Sequence, residues 1–152
     1  MSPTEYYKRV GTPSDGSGVY PVPRGFCTEG SMEVINDWGA DPINGLLARN
    51  NVLWTPPTKV LVLGIVPWLV SVAGAGTPPT VGMGKGSSKT NLMLANELGM
   101  SVVDDVDPRI GSGVYKFVDE GEAVNVEVTV AASGFTEYKF VPLIIGMRLS
   151  RS

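Results

Sequence analysis

The stretch from Gly82 to Thr90, GMGKGSSKT, comes close to the phosphate-binding loop G-x-x-x-x-G-K-[ST]. In that loop, backbone N–H groups hold phosphates at the N-terminus of a helix. Lys89 and Thr90 fit the pattern, but Ser88 replaces the second glycine, where the backbone must approach the phosphate closely, and only three residues separate Gly84 from Ser88 where the pattern has four. Such a loop also belongs to a parallel sheet, whereas the strand pattern described below is antiparallel. The sequence therefore favours a tight loop over a nucleotide site.

Acidic and aromatic residues offer two further kinds of chemistry. Asp104, Asp105 and Asp107 carry carboxylates of the type that bind calcium, but the spacing D-x-[DN]-x-[DN]-G-x5-E is absent. We therefore interpret them as solvated loop carboxylates, and no pair of carboxylates is singled out for glycoside hydrolysis. Three tryptophans are candidates for a sugar platform: Trp38, Trp54 and Trp68. Trp68 lies in an apolar run and is predicted to belong to the core.

The chain lacks the commonest catalytic side chains. It has no histidine, so the usual general base and zinc ligand are missing. Its single cysteine, Cys27, has no histidine to activate it and is predicted to be a buried or inert thiol. No catalytic set of residues remains, and the chain is predicted to be no enzyme and to bind no cofactor and no metal.

Composition points to a protein that hides part of its surface. Of the 152 residues, 43% are hydrophobic and 18% are charged, which is below the usual quarter. A chain of this length forms one domain with a real core, and its low charge indicates assembly with partners. The net charge is −3 and no basic block occurs, so a nucleic-acid partner is not favoured.

The longest apolar run, Val60 to Val72, raises the question of a membrane span. A spanning helix needs about 20 apolar residues, and this run is shorter, rich in valine and interrupted by Pro67. We therefore predict a buried strand and no membrane contact.

Three regions follow from the distribution of proline, aromatic and apolar residues. Residues 1–30 combine prolines with aromatic side chains, which predicts an extended N-terminal arm rather than a central strand or a disordered tail. Residues 31–58 form a mixed connecting segment, with a helical turn expected from Asp41 as N-cap to Asn50. Residues 59–152 are predicted to form the β-sandwich domain.

The β region shows short strands separated by turns. We expect strands at Lys59–Val72, bulged near Pro67, and at Thr80–Met83 and Val114–Val118. A short helix or turn is expected between residues 90 and 98.

Two further strands carry the clearest patterns. In AVNVEVTVA, four valines alternate with polar residues, which predicts that Val124, Val126, Val128 and Val130 point inward and that Asn125, Glu127 and Thr129 point outward. The final strand, residues 138–149, is expected to bulge near Pro142 and to point inward at Tyr138, Phe140, Leu143, Ile145 and Met147. The predicted fold class is all-β, an antiparallel jelly-roll-like sandwich.

Four short motifs in residues 59–149 occur in the order found in small β-sandwich virion proteins of tailed bacteriophages. They are Thr80-Val81-Gly82, Met93-Leu94-Ala95, Gly113-Val114-Tyr115-Lys116-Phe117 and Val126-Glu127-Val128-Thr129-Val130. The chain resembles this class, whose members are head decoration (cement) or fibre proteins and are often trimeric.

This resemblance implies a capsid cement protein that binds and stabilises neighbouring capsid subunits. It implies a homotrimer, the major capsid protein or other virion proteins as partners, and a place on the capsid surface after assembly in the host cytoplasm. The alternative is a carbohydrate- or receptor-binding module of a phage tail or head fibre.

The arm is the predicted point of attachment to the partner. Its aromatic residues would bury large areas on docking, and its basic residues suit an acidic partner surface. The predicted partner-binding residues are Tyr6, Tyr7, Lys8, Arg9, Tyr20, Arg24 and Phe26.

Overall fold

The structure is a computed structural model, which describes residues 32–36, 41–109 and 115–149. These ranges hold nine strands: β1 Glu33–Val34, β2 Ile43–Asn44, β3 Asn50–Trp54, β4 Val60–Thr77, β5 Thr80–Lys85, β6 Met93–Glu97, β7 Lys116–Val118, β8 Val124–Val130 and β9 Ser133–Arg148. Within the same ranges we find no helix of the length and apolarity that crossing a membrane requires.

The strands form two antiparallel sheets. Sheet A has the order β1-β9-β4-β7, and β2 also pairs with β9. Sheet B has the order β3-β8-β5-β6. The predicted connecting segment, residues 31–58, therefore supplies strands to both sheets, because β1 and β2 pair with β9 while β3 pairs with β8.

The pairing follows one rule along the chain. Strands β1 and β2 pair with β9, β3 pairs with β8, β4 pairs with β7, and β5 pairs with β6. Strands early in the chain therefore pair with strands late in the chain, and the two middle strands form a hairpin. The additional pairs β4–β9 and β5–β8 join these hairpin pairs into two sheets. This is the connectivity of a jelly roll, and it confirms the predicted fold class.

The core lies between the two sheets. Sheet A contributes fully buried side chains such as Val62, Leu69 and Phe140, and sheet B contributes Met83 and Val126. Their burial supplies the main favourable free energy of folding.

Tyr138 is the largest side chain with full burial, and its hydroxyl donates a 2.7 Å hydrogen bond to the carbonyl oxygen of Met100. Burial raises the pKa of the Tyr138 phenol above its ordinary value. The core thus holds a neutral, satisfied tyrosine.

The alternation in β8 is confirmed for its first three valines and is wrong at its end. Val124, Val126 and Val128 are buried, but Val130 is 59% exposed. The register with β5 shifts between Thr80 and Val81, where one step of β5 faces two steps of β8, so Val130 departs from the inward alternation. Asn125 was predicted to point to solvent but is buried, because its amide donates a 2.9 Å hydrogen bond to the Gly86 carbonyl.

The predicted bulges at the two prolines are wrong. Pro67 lies directly opposite Pro142 in the β4–β9 register, and the register shifts fall elsewhere, between Val62 and Gly64 and between Leu69 and Ser71. Each proline turns its backbone away from the β4–β9 ladder: the carbonyl of Pro67 accepts the N–H of Asp107, and that of Pro142 accepts the side-chain amide of Asn36. Their missing N–H groups therefore cost no bond between the two strands.

The absence of a bulge at Pro142 keeps the side-chain alternation of β9 unchanged. Tyr138, Phe140 and Ile144 are fully buried, as two-residue spacing requires. The prediction of inward positions for Leu143, Ile145 and Met147 is therefore wrong, since these three side chains are only partly buried and face the other side.

Both expected helical turns are strands in the structure. The segment 41–50 forms β2 and the start of β3, joined by a turn in which the Asn44 side chain accepts the N–H of Leu46 at 2.9 Å. The segment 90–98 contains β6, which pairs with β5. Pairing with a neighbouring strand outweighs the weak local helix preference in both places.

Candidate interaction surface

The glycine-rich stretch forms the connection between β5 and β6, which are antiparallel. Three of its backbone N–H groups are bound within the loop: that of Lys85 to the Asn91 side chain at 2.8 Å, that of Ser88 to the Lys85 carbonyl at 3.2 Å, and that of Thr90 to the Ser88 hydroxyl at 3.3 Å. The N–H of Gly86 donates to the Ala123 carbonyl at 2.9 Å. A phosphate-binding loop needs such groups to point at the ligand. The geometry therefore supports the interpretation of this stretch as a tight loop.

The glycines of this stretch have a packing role. The loop folds back over β5, so that a Cβ on Gly84 would lie 2.2 Å from the carbonyl oxygen of Ser88. A Cβ on Gly82 would lie 3.0 Å from the carbonyl oxygen of Lys89. Only glycine lets the two backbones approach so closely.

We expect no binding of ATP with magnesium in isothermal titration calorimetry, because the N–H groups of Lys85, Gly86, Ser88 and Thr90 already have acceptors in the chain and the loop joins two antiparallel strands. Lys89→Ala should leave the titration unchanged. Saturable heat in the wild-type chain that disappears in Lys89→Ala would contradict both this prediction and the assignment of the loop.

The acidic loop that follows β6 binds its own backbone. Asp105 accepts the N–H groups of Ser101 and Val102 at 2.9 Å each, and these hydrogen bonds lower the pKa of its carboxyl. Asp104 accepts the Trp68 indole N–H at 3.1 Å. Asp105 therefore stabilises the loop itself, and Asp104 links the loop to β4.

Asp107 forms an ion pair with Arg109 and accepts the Gly99 N–H at 2.8 Å. Burial alone would raise the pKa of Asp107, but the Arg109 hydrogen bond, the Gly99 N–H and the Arg109 charge together bring it below its ordinary value. No group of three candidate metal ligands occurs in the described part of the chain. The three carboxylates instead accept hydrogen bonds that stabilise the loop.

The same loop covers one edge of β4. Backbone hydrogen bonds join Ile65 to Arg109 and Leu69 to the segment Asp104–Asp105. Strand β4 therefore has β9 on one side and β7 followed by this loop on the other.

The other sequence candidates are separated or lie outside the described residues. Trp54 is in sheet B and packs against the core, whereas Trp68 is in sheet A, so these two tryptophans form no common platform. Trp38, Cys27 and the seven predicted partner-binding residues lie outside the described ranges.

Sheet A carries a continuous apolar surface on the side that faces away from sheet B. Strand β4 turns Val62, Ile65 and Leu69 into the core, so Leu61, Val66 and Trp68 point outward. Opposite residues of a ladder share a face, which assigns their partners to the same side. We define this outer apolar face by Val34, Leu61, Val66, Trp68, Val106, Phe117, Val141, Leu143, Ile145 and Met147.

Exposure varies across the outer apolar face. Phe117 is 48% exposed and Val106 is 50% exposed, whereas Val141, opposite Trp68, is only 5% exposed and the other members are partly buried. None of the ten residues is charged.

Two ion pairs lie at one end of the face, and the Asp104 carboxylate accepts the Trp68 indole N–H at its margin. Lys59 lies 3.5 Å from Asp119 and 5.0 Å above the Phe117 ring, and Arg148 lies 2.5 Å from Glu33. Surface pairs of this kind add little stability, but they leave the end of the face close to neutral.

The outer apolar face was missed in the sequence interpretation, although a signal was present. The runs VLVLGIVPWLVSV and VPLIIGM contain no alternation. A strand with one solvated face alternates, whereas an uninterrupted apolar strand is apolar on both faces. The first run predicts only a buried strand, and the interpretation of the second places Leu143, Ile145 and Met147 inward, so neither prediction includes an apolar outer face.

The fold is similar to that of a chain in a solved structure described as the cyanophage Pam1 capsid asymmetric unit. The identity is 18% and the TM-score is 0.59, over 90% of this chain and 97% of that chain. The two chains are therefore similar in length and share a fold. No protein family and no curated protein sequence matches the chain.

Proposed function

We propose that this chain is a structural protein of a bacteriophage particle, a cement protein that binds neighbouring capsid subunits on the capsid surface. The observation that carries the proposal is the likeness, over nearly the whole of both chains, to a chain of a phage capsid asymmetric unit. Jelly rolls occur in capsid proteins, lectins and enzymes, and fold alone does not decide function. The proposal therefore also depends on the properties of the two loops and of the outer apolar face.

The described residues support binding rather than catalysis. The loop that resembles a phosphate site has three of its backbone N–H groups bonded internally, and the acidic loop binds its own backbone. The uncharged outer apolar face is instead a surface of the kind that buries area against another protein. A cement protein acts through buried area and geometry, and interfaces of about 1,600 Å² in total suffice for stable binding.

We propose that residues 1–30 attach the chain to the capsid, with the major capsid protein as the partner. The segment contains four aromatic residues, Tyr6, Tyr7, Tyr20 and Phe26, and its prolines disfavour a central strand position. Lys8, Arg9 and Arg24 lie in a chain with a net charge of −3 and suit an acidic partner surface.

The test is deletion of residues 1–25 followed by mixing with capsid shells of the parent phage. Co-sedimentation with the shells should fall to background, while circular dichroism and the melting temperature show that the truncated chain still folds. A chain with residues 1–25 in scrambled order is the matched control for length and charge, and it should also fail to attach.

Two results would contradict the attachment proposal. If the truncated chain decorates the shells as well as the full chain does, the arm is not the anchor. If the full chain ignores the shells but binds a defined glycan, the carbohydrate-binding alternative replaces the capsid role.

We further propose that the chain self-associates, with three copies as the expected number. The charged fraction of 18% favours oligomerisation, and the number three comes from the resemblance to phage virion proteins.

A further inference from the structure

We propose that copies of this chain associate through β3, whose outer edge in one copy pairs with residues 20–22 of the N-terminal arm of a second copy. The inference rests on the self-association proposed above and names the two surfaces that make the contact. It leaves residues 6–9 of the arm for attachment to the capsid.

The first argument is the open edge of β3. This strand pairs with β8 on one side, and no described strand pairs with it on the other. The Val128 N–H donates to the Arg49 carbonyl, and the direction of backbone groups alternates along a strand. The N–H and C=O groups of Asn50 and Val52 therefore point away from β8. Such an edge is a template for a further strand.

The other three edges of the two described sheets are protected. Strands β1 and β2 have two residues each, and β7 has three, one of them Lys116. Strand β6 has a register shift, and the Arg109 side chain donates at 2.9 Å to the Glu97 carbonyl at its outer edge. Short strands, charges and bulges are the usual protection of an edge. Strand β3, with the sequence NNVLW, has neither a charge nor a proline, and its register shift comes after Val52.

The second argument is a cleft beside this edge. Its volume is about 360 Å³, and residues 41–43 form one wall while Arg49 and residues 51–53 form the other. Asn50 is exposed next to the cleft, and Val52 is 66% exposed. The edge is therefore accessible to a short extended segment.

The third argument is a segment of the arm that suits an edge strand but not a central one. In Val19-Tyr20-Pro21-Val22-Pro23 the two prolines are two residues apart. In a strand they therefore face the same side, and Tyr20 and Val22 keep their N–H groups on the other side. Proline in a sheet is confined largely to edges, where its nitrogen faces solvent. A residue before proline also favours extended conformations, which applies to both Tyr20 and Val22.

The segment and the edge match in an antiparallel pair. In this arrangement Tyr20 lies opposite Val52 and Val22 lies opposite Asn50, so the two residues of each pair exchange both of their backbone hydrogen bonds. Opposite residues share a face, which brings the Tyr20 ring onto the exposed Val52 side chain. Pairs of an aromatic and a β-branched residue stabilise a sheet.

The reach of the arm allows the pair to form between copies. The described chain begins at Met32, and the residues from Val22 to Met32 span up to about 33 Å at about 3.3 Å per residue. Each copy donates one arm and accepts one, and because the two surfaces differ, three copies can close into a ring. Pro21 and Pro23 then face outward and prevent a further strand from joining.

The experiment places a proline on each side of the added strand. Light scattering of the full wild-type chain should report an oligomer. Val22→Pro removes an N–H that donates to β3, and the dissociation constant should rise about tenfold or more. Val19→Pro makes the same change on the side that already carries Pro21 and Pro23, so this matched control should keep the oligomer.

A variant of β3 tests the other surface. Val52→Pro removes an N–H that points away from β8, so cooperative unfolding should persist while the oligomer is lost. If Val52→Pro fails to fold, the two arm variants still decide, because neither changes a residue of the sandwich.

Cross-linking identifies the chain that supplies the arm. Tyr20→Cys chains mixed with Val52→Cys chains, both also carrying Cys27→Ser, should form a disulfide between chains on oxidation. Opposite Cα atoms in such a pair lie about 5.5 Å apart, which a disulfide can bridge. Val130→Cys, at a position of sheet B that is 59% exposed, should not cross-link to Tyr20→Cys.

Three outcomes overturn the inference. An oligomer that is equally stable in Val22→Pro and Val19→Pro would mean that another surface joins the copies, while self-association itself stands. A disulfide that forms only when Tyr20→Cys and Val52→Cys are in the same chain would place the arm on its own sandwich. A monomeric wild-type chain would remove self-association as well. Capsid attachment is a separate measurement, because Val22→Pro keeps residues 6–9 and should still co-sediment with the shells.

Discussion

Replacing Val126 by aspartate is expected to abolish folding. Val126 is fully buried in the centre of β8, between β3 and β5. A carboxylate there has no charged partner or donor to replace water, and burying it costs several kcal/mol. Whole domains are stable by only about 5–15 kcal/mol. The variant should therefore give no cooperative unfolding transition in urea and no near-ultraviolet circular dichroism signal.

The same strand offers a matched control. Val130→Asp makes the same change at a position that is 59% exposed, and it should alter the unfolding free energy by about 0.5 kcal/mol or less. Thr129→Lys, also exposed, should be tolerated. Equal losses at Val126 and Val130 would mean that β8 is buried along its full length, contrary to the structure.

A large loss of stability is also expected when a single methyl group is added at Gly84. Gly84→Ala places a Cβ 2.2 Å from the carbonyl oxygen of Ser88, and the obstacle is backbone that cannot rotate away. The β5–β6 loop must then lift from β5. We expect a loss of about 3 kcal/mol, which lowers the melting temperature by about 10 °C in a chain of this size.

Gly99→Ala separates this steric effect from the general effect of losing a glycine. At Gly99 the nearest atom to an added Cβ is a carboxylate oxygen of Asp107 at 3.6 Å, an ordinary contact. Its melting temperature should stay within about 2 °C of wild type. A fall at Gly84 no larger than that at Gly99 would contradict the close packing of the loop on β5.

Local patterns were enough to predict the fold class. The alternation in β8 correctly assigned Val124, Val126 and Val128 to the core. The short strands separated by turns indicated a sandwich, and the structure has one. These signals are local because two-residue periodicity is a property of the strand itself.

The errors arose where distant residues decide the structure. Pro67 was expected to force a bulge, but Asp107, which is far along the chain, donates to its carbonyl on the side away from β9. Asn125 was placed in water, but the Gly86 carbonyl gives its amide a buried partner. Pairing partners of this kind cannot be obtained from the periodicity of one strand.

The candidate site was harder to predict than the fold. The glycine-rich stretch resembles a phosphate-binding motif in sequence, yet in the structure Gly84 allows the loop to pack closely on β5. The outer apolar face was not predicted from the sequence, because its members are residue types that are also common in protein cores. The face becomes visible only when Leu69 is known to point inward and Trp68 outward, and this follows from the register of β4 with β9.

The pairing of the first strand with the last has a consequence for the order in which the chain folds. Glu33 of β1 lies opposite Gly146 of β9, so sheet A cannot close until residue 146 has left the ribosome. The hairpin β5–β6 has both strands available much earlier. Folds dominated by such distant pairs reach the native state in about milliseconds to seconds, more slowly than helical bundles. Until β9 is synthesised, most of β4 has no partner strand. Apolar strands that are transiently unpaired in this way are prone to aggregate.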